Sequence, residues 1–154
     1  MIILGIDPGV HRMGYGVINS KGTDAKVLAQ GLFTTDKDTL HGERLLKIKN
    51  ALEEVIFLYR PERIVVEKLF FQKNVKTAMK VGEARGVVMM LAAENNIPTI
   101  ELTPNEVKVA IAGYGNAEKL QVQKMVKTLL NLKEIPKPDD VADALAIAYS
   151  GIFY

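Results

Sequence analysis

The chain opens on a short, nearly continuous apolar run, residues 2–7, the pattern of a strand buried on both faces. Gly9 to Gly14 make a turn, Tyr15 to Asn19 return, Ser20-Lys21-Gly22 turn again, and Lys26 to Thr34 supply a third strand. Two such short reversals predict an antiparallel meander. From Thr39 the period becomes helical: Leu45, Ile48, Leu52, Val55 and Ile56 share one face, and Pro61 follows the end. Arg63 to Glu67 is a strand rich in β-branched residues, Phe70 to Asn74 form its exit loop, and a long helix runs from about Val75 to Asn95. Ile97 to Leu102 reads as a fifth strand, and Pro104 falls where the first turn of a short helix begins. Gly113-Tyr114-Gly115-Asn116 breaks that helix. Ala117 to Asn131 forms another, with Leu120, Met125, Leu129 and Leu130 as its expected inner face. Pro136 and Pro138 separate it from a final apolar helix that begins near Asp139. Three strands, helix, strand, helix, strand and further helices predict an α/β fold with a mixed sheet. With no linker or repeat, the 154 residues form one expected domain, 1–154.

Composition narrows the chemistry. The absence of cysteine excludes a disulfide scaffold, a thiolate metal site and a cysteine nucleophile. With His11 and His41 as the sole histidines, assigned to a surface turn and a helix start, any metal must sit among oxygens, as magnesium and manganese do. No segment reaches the roughly 20 apolar residues that span a bilayer. The opening strand also runs at once into Asp7-Pro8-Gly9, unlike a signal peptide, so the expectation is a cytoplasmic protein with no membrane partner.

The net charge of +2 hides a pattern. Residues 60–86 carry seven basic groups (Arg60, Arg63, Lys68, Lys73, Lys76, Lys80, Arg85) against Glu62, Glu67 and Glu83. Residues 104–127 are again basic, through Lys108, Lys119, Lys124 and Lys127, whereas 128–154 are net acidic. Basic stretches beside an acidic cluster can form a phosphate-binding surface around a metal site; scattered charge on solvated helix faces would look the same.

Four carboxylates stand out. Asp7 ends the first buried strand and Glu67 a later one, while Asp140 and Asp143, three apart, share a face at the start of the last helix. Asp7 before Pro8-Gly9 could be a turn residue, and Asp139 or Asp140 an N-cap, with Asp139 the better N-cap candidate. Glu67 has no such local role. Together the four support an oxygen-ligand site at one edge of a sheet. Two divalent ions there suit phosphodiester hydrolysis, because cations must neutralise the crowded acids while activating water and the scissile phosphate.

Phe70 and Phe71, adjacent on a loop beside Lys73 and Lys76, can stack on unpaired bases while the lysines hold phosphates. Arg85, in the same basic stretch, is a further candidate DNA contact. On the long helix Ala78, Gly82 and Gly86 form a small-residue stripe. A glycine in a helix costs roughly 1 kcal/mol against alanine, so close approach of either the chain's own sheet or a second subunit would account for it.

These residues resemble those of a known family. Ile3-Leu4-Gly5-Ile6-Asp7-Pro8-Gly9 with Gly14-Tyr15-Gly16-Val17 resembles the opening of the RuvC family of Holliday-junction resolvases. Glu67-Lys68-Leu69-Phe70, Lys73-Asn74 and Gly82-Glu83-Ala84-Arg85-Gly86 continue the likeness. So do Gly115-Asn116-Ala117-Glu118-Lys119, Gln121-Val122-Gln123 and Asp140-Val141-Ala142-Asp143-Ala144-Leu145-Ala146, in family order over residues 2–148. Gly-Ile-Asp-x-Gly alone is shared with sugar kinases and actin-like ATPases; the ordered set is specific. The resemblance implies a ribonuclease H-like fold with a mixed five-stranded sheet flanked by helices. It implies a homodimer and paired, magnesium-dependent nicks (manganese substituting) in like-polarity strands of a four-way DNA junction. The products have 5′-phosphate and 3′-hydroxyl ends. Asp7, Glu67, Asp140 and Asp143 match the family's metal ligands, although some members have histidine in place of Asp140. Phe70 matches an aromatic that inserts at the junction core, Phe71 a more variable position, and Lys108 and Lys119 basic positions near the active site. The likeness points to the second subunit as the partner of the Ala78, Gly82, Gly86 stripe, and to the RuvA and RuvB branch-migration complex as a further partner. A small ribonuclease H-like enzyme acting on RNA is the main alternative.

Overall fold

The computed structural model describes residues 1–68 and 75–154. Three antiparallel strands, β1 (Ile2–Asp7), β2 (Arg12–Lys21) and β3 (Asp24–Thr34), lead into α1 (His41–Tyr59) and β4 (Arg63–Glu67). Then follow α2 (Val75–Glu94), β5 (Thr99–Leu102), α3 (Pro104–Ala112), α4 (Lys119–Leu129) and α5 (Asp139–Ser150), closed by a 3-10 turn, Gly151–Phe153. The sheet order is β3-β2-β1-β4-β5, with β4 parallel to both β1 and β5. The mixed five-stranded sheet expected from the sequence is therefore present, with β2 and β3 extending further into their turns than the apolar pattern marks.

Alternation along the central strands sorts the core into two layers. Leu4, Ile6, Ile64 and Val66 pack with Ile48, Leu52, Val55 and Ile56 of α1 and Ala84, Val88, Leu91 and Ala92 of α2. Ile3 and Val65 face the other way, onto Val107 and Ile111 of α3, Val122 and Val126 of α4, and α5. Each large side chain fully buried in this way contributes about 1.5–3 kcal/mol. No helix among the described residues is long and apolar enough to cross a membrane.

One expected face is corrected. Leu120 and Met125 of α4 are exposed, and the row turned inward is Val122, Val126 and Leu130, with Gln123 beside it. Size misleads here. The smaller valines occupy the four-residue row that faces α3 and α5, and Leu130 continues it as expected, while Leu120 and Met125 lie off it.

Helix α5 lies against the backbone of the first two strands. A Cβ at Gly5 would stand 2.3 Å from the Ala144 carbonyl oxygen, and one at Gly14 would stand 2.0 Å from that of Asp140. Gly16, paired with Gly5 across β1 and β2, leaves room for the Leu145 side chain. Glycine on the strands and alanine on the helix let the two backbones touch, which brings the start of α5 over the end of β1.

Candidate active site

Asp7 and Glu67 end two neighbouring parallel strands, one residue beyond the Ile6–Val66 pair. By alternation they fall on the same face as Gly5 and Val65, the face covered by α5. Asp143, one turn into α5, completes a set of three carboxylates lining one cavity of about 280 Å³ together with Lys108 and Lys119.

Local signals set each position. Helix α3 begins with a reciprocal cap: the Thr103 hydroxyl accepts from Glu106 N at 3.1 Å, and Thr103 N donates to Glu106 Oε2 at 2.7 Å, with Pro104 in the first turn. It ends at Gly113, whose φ of 86° favours glycine. A second cap, Glu118 N donating to Gln121 Oε1 at 2.9 Å, starts α4 at Lys119. The Lys119 ammonium thereby reaches Asp143 Oδ2 at 2.9 Å and Asp139 Oδ2 at 3.2 Å.

Asp139 is not the N-cap. Pro138 holds that position, and Asp139 instead accepts from Gln123 Nε2 at 3.2 Å and pairs with Lys119. Because a side chain inside the first turn points away from the orphan N–H groups, the available cation and amide take the carboxylate. Asp140 lies at the rim, where Arg12 Nη2 donates to its Oδ2 at 2.6 Å. Arg12 carried no signal in the sequence beyond its charge; the contact arises because Gly14 brings β2 under α5.

Electrostatics follow from burial and crowding. Asp7 is pushed up to about 7, chiefly by burial and then by Asp143, Glu67 and Asp140, with Lys119 opposing. Burial also raises Glu67 and Asp143; Asp143 adds to the effect on Glu67, and Lys119 opposes it at both. At Lys119 burial disfavours the charge, but the hydrogen bonds and charges of Asp143 and Asp139 outweigh it and raise its pKa.

The donor set fits hard divalent cations: every candidate ligand is a carboxylate, and the acids repel one another until positive charge is supplied. Among the described residues no three acidic or histidine groups close on one point. Asp140 is turned to Arg12 and Asp143 to Lys119, so these two cations occupy oxygens that a divalent ion would take.

Other candidates are spread more widely. Phe70, Phe71 and Lys73 lie outside the described residues. Lys76, exposed at the start of α2, borders a different groove. Arg85 is turned to Glu101 of β5, an ion pair within the fold. Ala78 and Gly82 are half-buried and Gly86 is exposed, and a Cβ at Gly86 would meet nothing within 4 Å. The inward face of α2 is Ala84, Val88, Leu91 and Ala92.

The chain resembles known proteins along nearly its whole length. Residues 3–150 match the family model described as crossover junction endodeoxyribonuclease RuvC. A protein of that name from Alkaliphilus oremlandii is 53% identical over 148 residues, covering 96% of this chain and 90% of its own. Another, from Caldicellulosiruptor saccharolyticus, is 52% identical over 149 residues with the same coverage, 96% and 90%. The structure of T. thermophilus RuvC in complex with Holliday junction substrate superposes with a TM-score of 0.92 at 37% identity, covering 100% of this chain and 94% of the other.

Proposed function

The chain belongs to the RuvC family of crossover junction endodeoxyribonucleases, and from that membership we propose how its residues carry out the reaction. The protein is a structure-selective endonuclease of recombination and repair. It binds four-way DNA junctions and resolves them by phosphodiester hydrolysis in paired strands of like polarity, leaving 5′-phosphate and 3′-hydroxyl ends. It depends on divalent metal ions. Our assignment is magnesium, two ions per site, with manganese substituting and with Asp7, Glu67, Asp140 and Asp143 as ligands. The protein acts in the cytoplasm as one nuclease domain, 1–154.

Bound divalent ions supply activation of the attacking water and neutralisation of charge on the phosphate and leaving oxygen. The protein supplies placement. Asp7 and Glu67 are anchored at rigid strand ends, and Asp143 comes from a helix that cannot lift without leaving its glycine seat. Lys119 faces Asp143 across the pocket mouth, where its ammonium can hold a phosphate oxygen, and Lys108 lines the same wall. Phe70 and Phe71 stack on opened junction bases, while Lys73 and Lys76 serve the backbone.

A junction has two equivalent strands to cut, so a twofold homodimer places one site at each. The stripe Ala78, Gly82, Gly86 is its contact, supported by the open space around Gly86 and by the inward face of α2 lying elsewhere. RuvA and RuvB are the partners that deliver the junction.

The observation that carries this reading is that Asp7, Glu67 and Asp143 line one lysine-edged pocket. The test is incubation with magnesium and labelled four-way junction, linear duplex and RNA hairpin. Paired nicks confined to the junction are expected. Preferential cleavage of the hairpin would instead favour an RNA-processing enzyme.

A further inference from the structure

The turn between β1 and β2 and the first half of α2 enclose a second groove, of about 340 Å³. Its charged and titratable lining is His11, Arg12, Lys76 and Lys80, with no carboxylate among the described residues. Such a groove favours an anion. Arg12 also borders the hollow over the start of α5, beside Lys119, Lys137, Asp139 and Asp140. Lys119 in turn lines the carboxylate pocket. Three hollows thus adjoin, and Arg12 stands where the anion-favouring groove meets the hollow that holds Asp139 and Asp140.

The backbone of this turn is held. Thr35 N donates to the His11 carbonyl at 3.0 Å, and Thr35 Oγ1 donates to that of Val10 at 2.6 Å. Buried Arg44 donates through Nε to the Asp36 carbonyl at 3.0 Å and lies 3.5 Å from His11 Nε2 through Nη1. What can move is the Arg12 side chain, which is 52% exposed and paired to an Asp140 carboxylate that is 26% exposed. An ion pair this open to water is weak. A divalent cation claiming Asp140 would both remove the partner of Arg12 and repel its guanidinium. The neighbouring groove already gathers two lysines, so a guanidinium joining them needs an anion to bind, and a phosphodiester offers guanidinium two oxygens at once.

Resting on the resolvase reading, we propose that Arg12 is a metal-released phosphate clamp. Without a divalent ion it occupies Asp140. Once an ion takes that carboxylate, Arg12 turns into the groove and, with Lys80, grips a backbone phosphate of the strand being cut, next to the scissile one. Metal loading and strand positioning are thereby linked through one side chain.

Two measurements on the full chain test this. In DNA-free protein, Arg12→Gln should bind manganese roughly two- to fivefold more tightly by calorimetry, the factor matching loss of a competing surface ion pair. In a salt series of four-way junction binding, each lost phosphate contact lowers the slope of log affinity against log salt by about 0.9. Lys80→Gln should show that loss in calcium. Arg12→Gln should show it in calcium and keep the wild-type slope in chelator, where Asp140 already holds the guanidinium. Equal slope losses with and without the ion, no loss in either, or unchanged or weaker manganese binding would overturn the clamp. If Arg12→Gln lacks native circular dichroism, Arg12→Ala carries the same comparison. Wild-type protein that neither binds nor cuts a junction would instead sink the resolvase reading itself.

Discussion

Helices α5 and α2 are both rich in small residues, yet those residues serve opposite surfaces. On α5, Ala144 and Ala148 are buried against Gly5, close enough that any added carbon collides with backbone. On α2, Gly86 is exposed and a Cβ there would meet nothing. A small-residue stripe therefore reports close approach without saying to what. The distinguishing feature is where the large apolar residues of the helix point. Those of α5 are buried almost throughout, whereas α2 buries Val88 and Leu91 on one side and leaves Met79 and Met90 exposed. The first arrangement builds the carboxylate pocket inside one chain, and the second leaves apolar surface exposed where the proposed dimer contact lies.

The strongest way to break this contrast is to add bulk beneath α5. Gly5→Val should destabilise the fold by about 3 kcal/mol or more, at the top of the range for overpacking, because the colliding atoms are backbone and cannot rotate away. Urea unfolding checks this; a loss below about 1 kcal/mol would show that α5 has room to shift. On α2 the same logic predicts the reverse. Gly86→Leu should leave monomer stability unchanged or slightly raised, yet shift the dimer toward monomer in equilibrium sedimentation and uncouple the paired nicks. A dimer of wild-type strength would move the interface off this stripe.

A smaller effect sharpens the acidic end of the comparison. Asp7 has a folded pKa near 7 against an ordinary value of 3.8, and Glu67 and Asp143 are also raised. The folded state thus binds more protons than the unfolded chain between those values, so stability falls as pH rises through that window. In chelator, the melting temperature should be higher near pH 6 than near pH 8, and Asp7→Asn should narrow the gap. Saturating magnesium should restore stability at the higher pH, because the ion binds the folded state. A melting temperature that rises with pH in chelator would mean the acids are not crowded. The smallest expected effect is at Gly86→Ala, a gain of up to about 1 kcal/mol from helix propensity alone.

Much of this was legible in the sequence, for identifiable reasons. Strand ends at Asp7 and Glu67 follow from short apolar runs bounded by turn signals, and Pro104 and Gly113 bracket α3 because each residue type suits one helix end. The four carboxylates stand out by their positions at strand ends and a helix start, and the family likeness matches them to metal ligands. What escaped was contact between elements distant in sequence. Gly14 reads as a turn residue, yet its missing side chain admits the Asp140 backbone. Arg12 falls within the Gly9 to Gly14 turn and is not singled out there, yet it meets an acid far along the chain. Asp139 reads as an N-cap, yet Lys119 and Gln123 claim it. On α4, Leu129 and Leu130 lie inward as expected, but Leu120 and Met125 were misjudged because residue size was weighed above the row that meets α3 and α5.

The central claim is that the carboxylates hold the ions that cut the junction while basic groups bind it. The direct measurement is single-turnover cleavage and equilibrium binding of a four-way junction by the same preparations of Asp7→Asn, Glu67→Gln, Asp140→Asn and Asp143→Asn in magnesium. Each should lose cleavage by about 100-fold or more, as removing a group that stabilises developing charge does, while junction affinity stays at or above the wild-type level because binding rests on phosphate contacts. Wild-type cleavage by any one of the four would remove that residue from the metal site, and wild-type cleavage by Asp7→Asn would contradict the account at its centre.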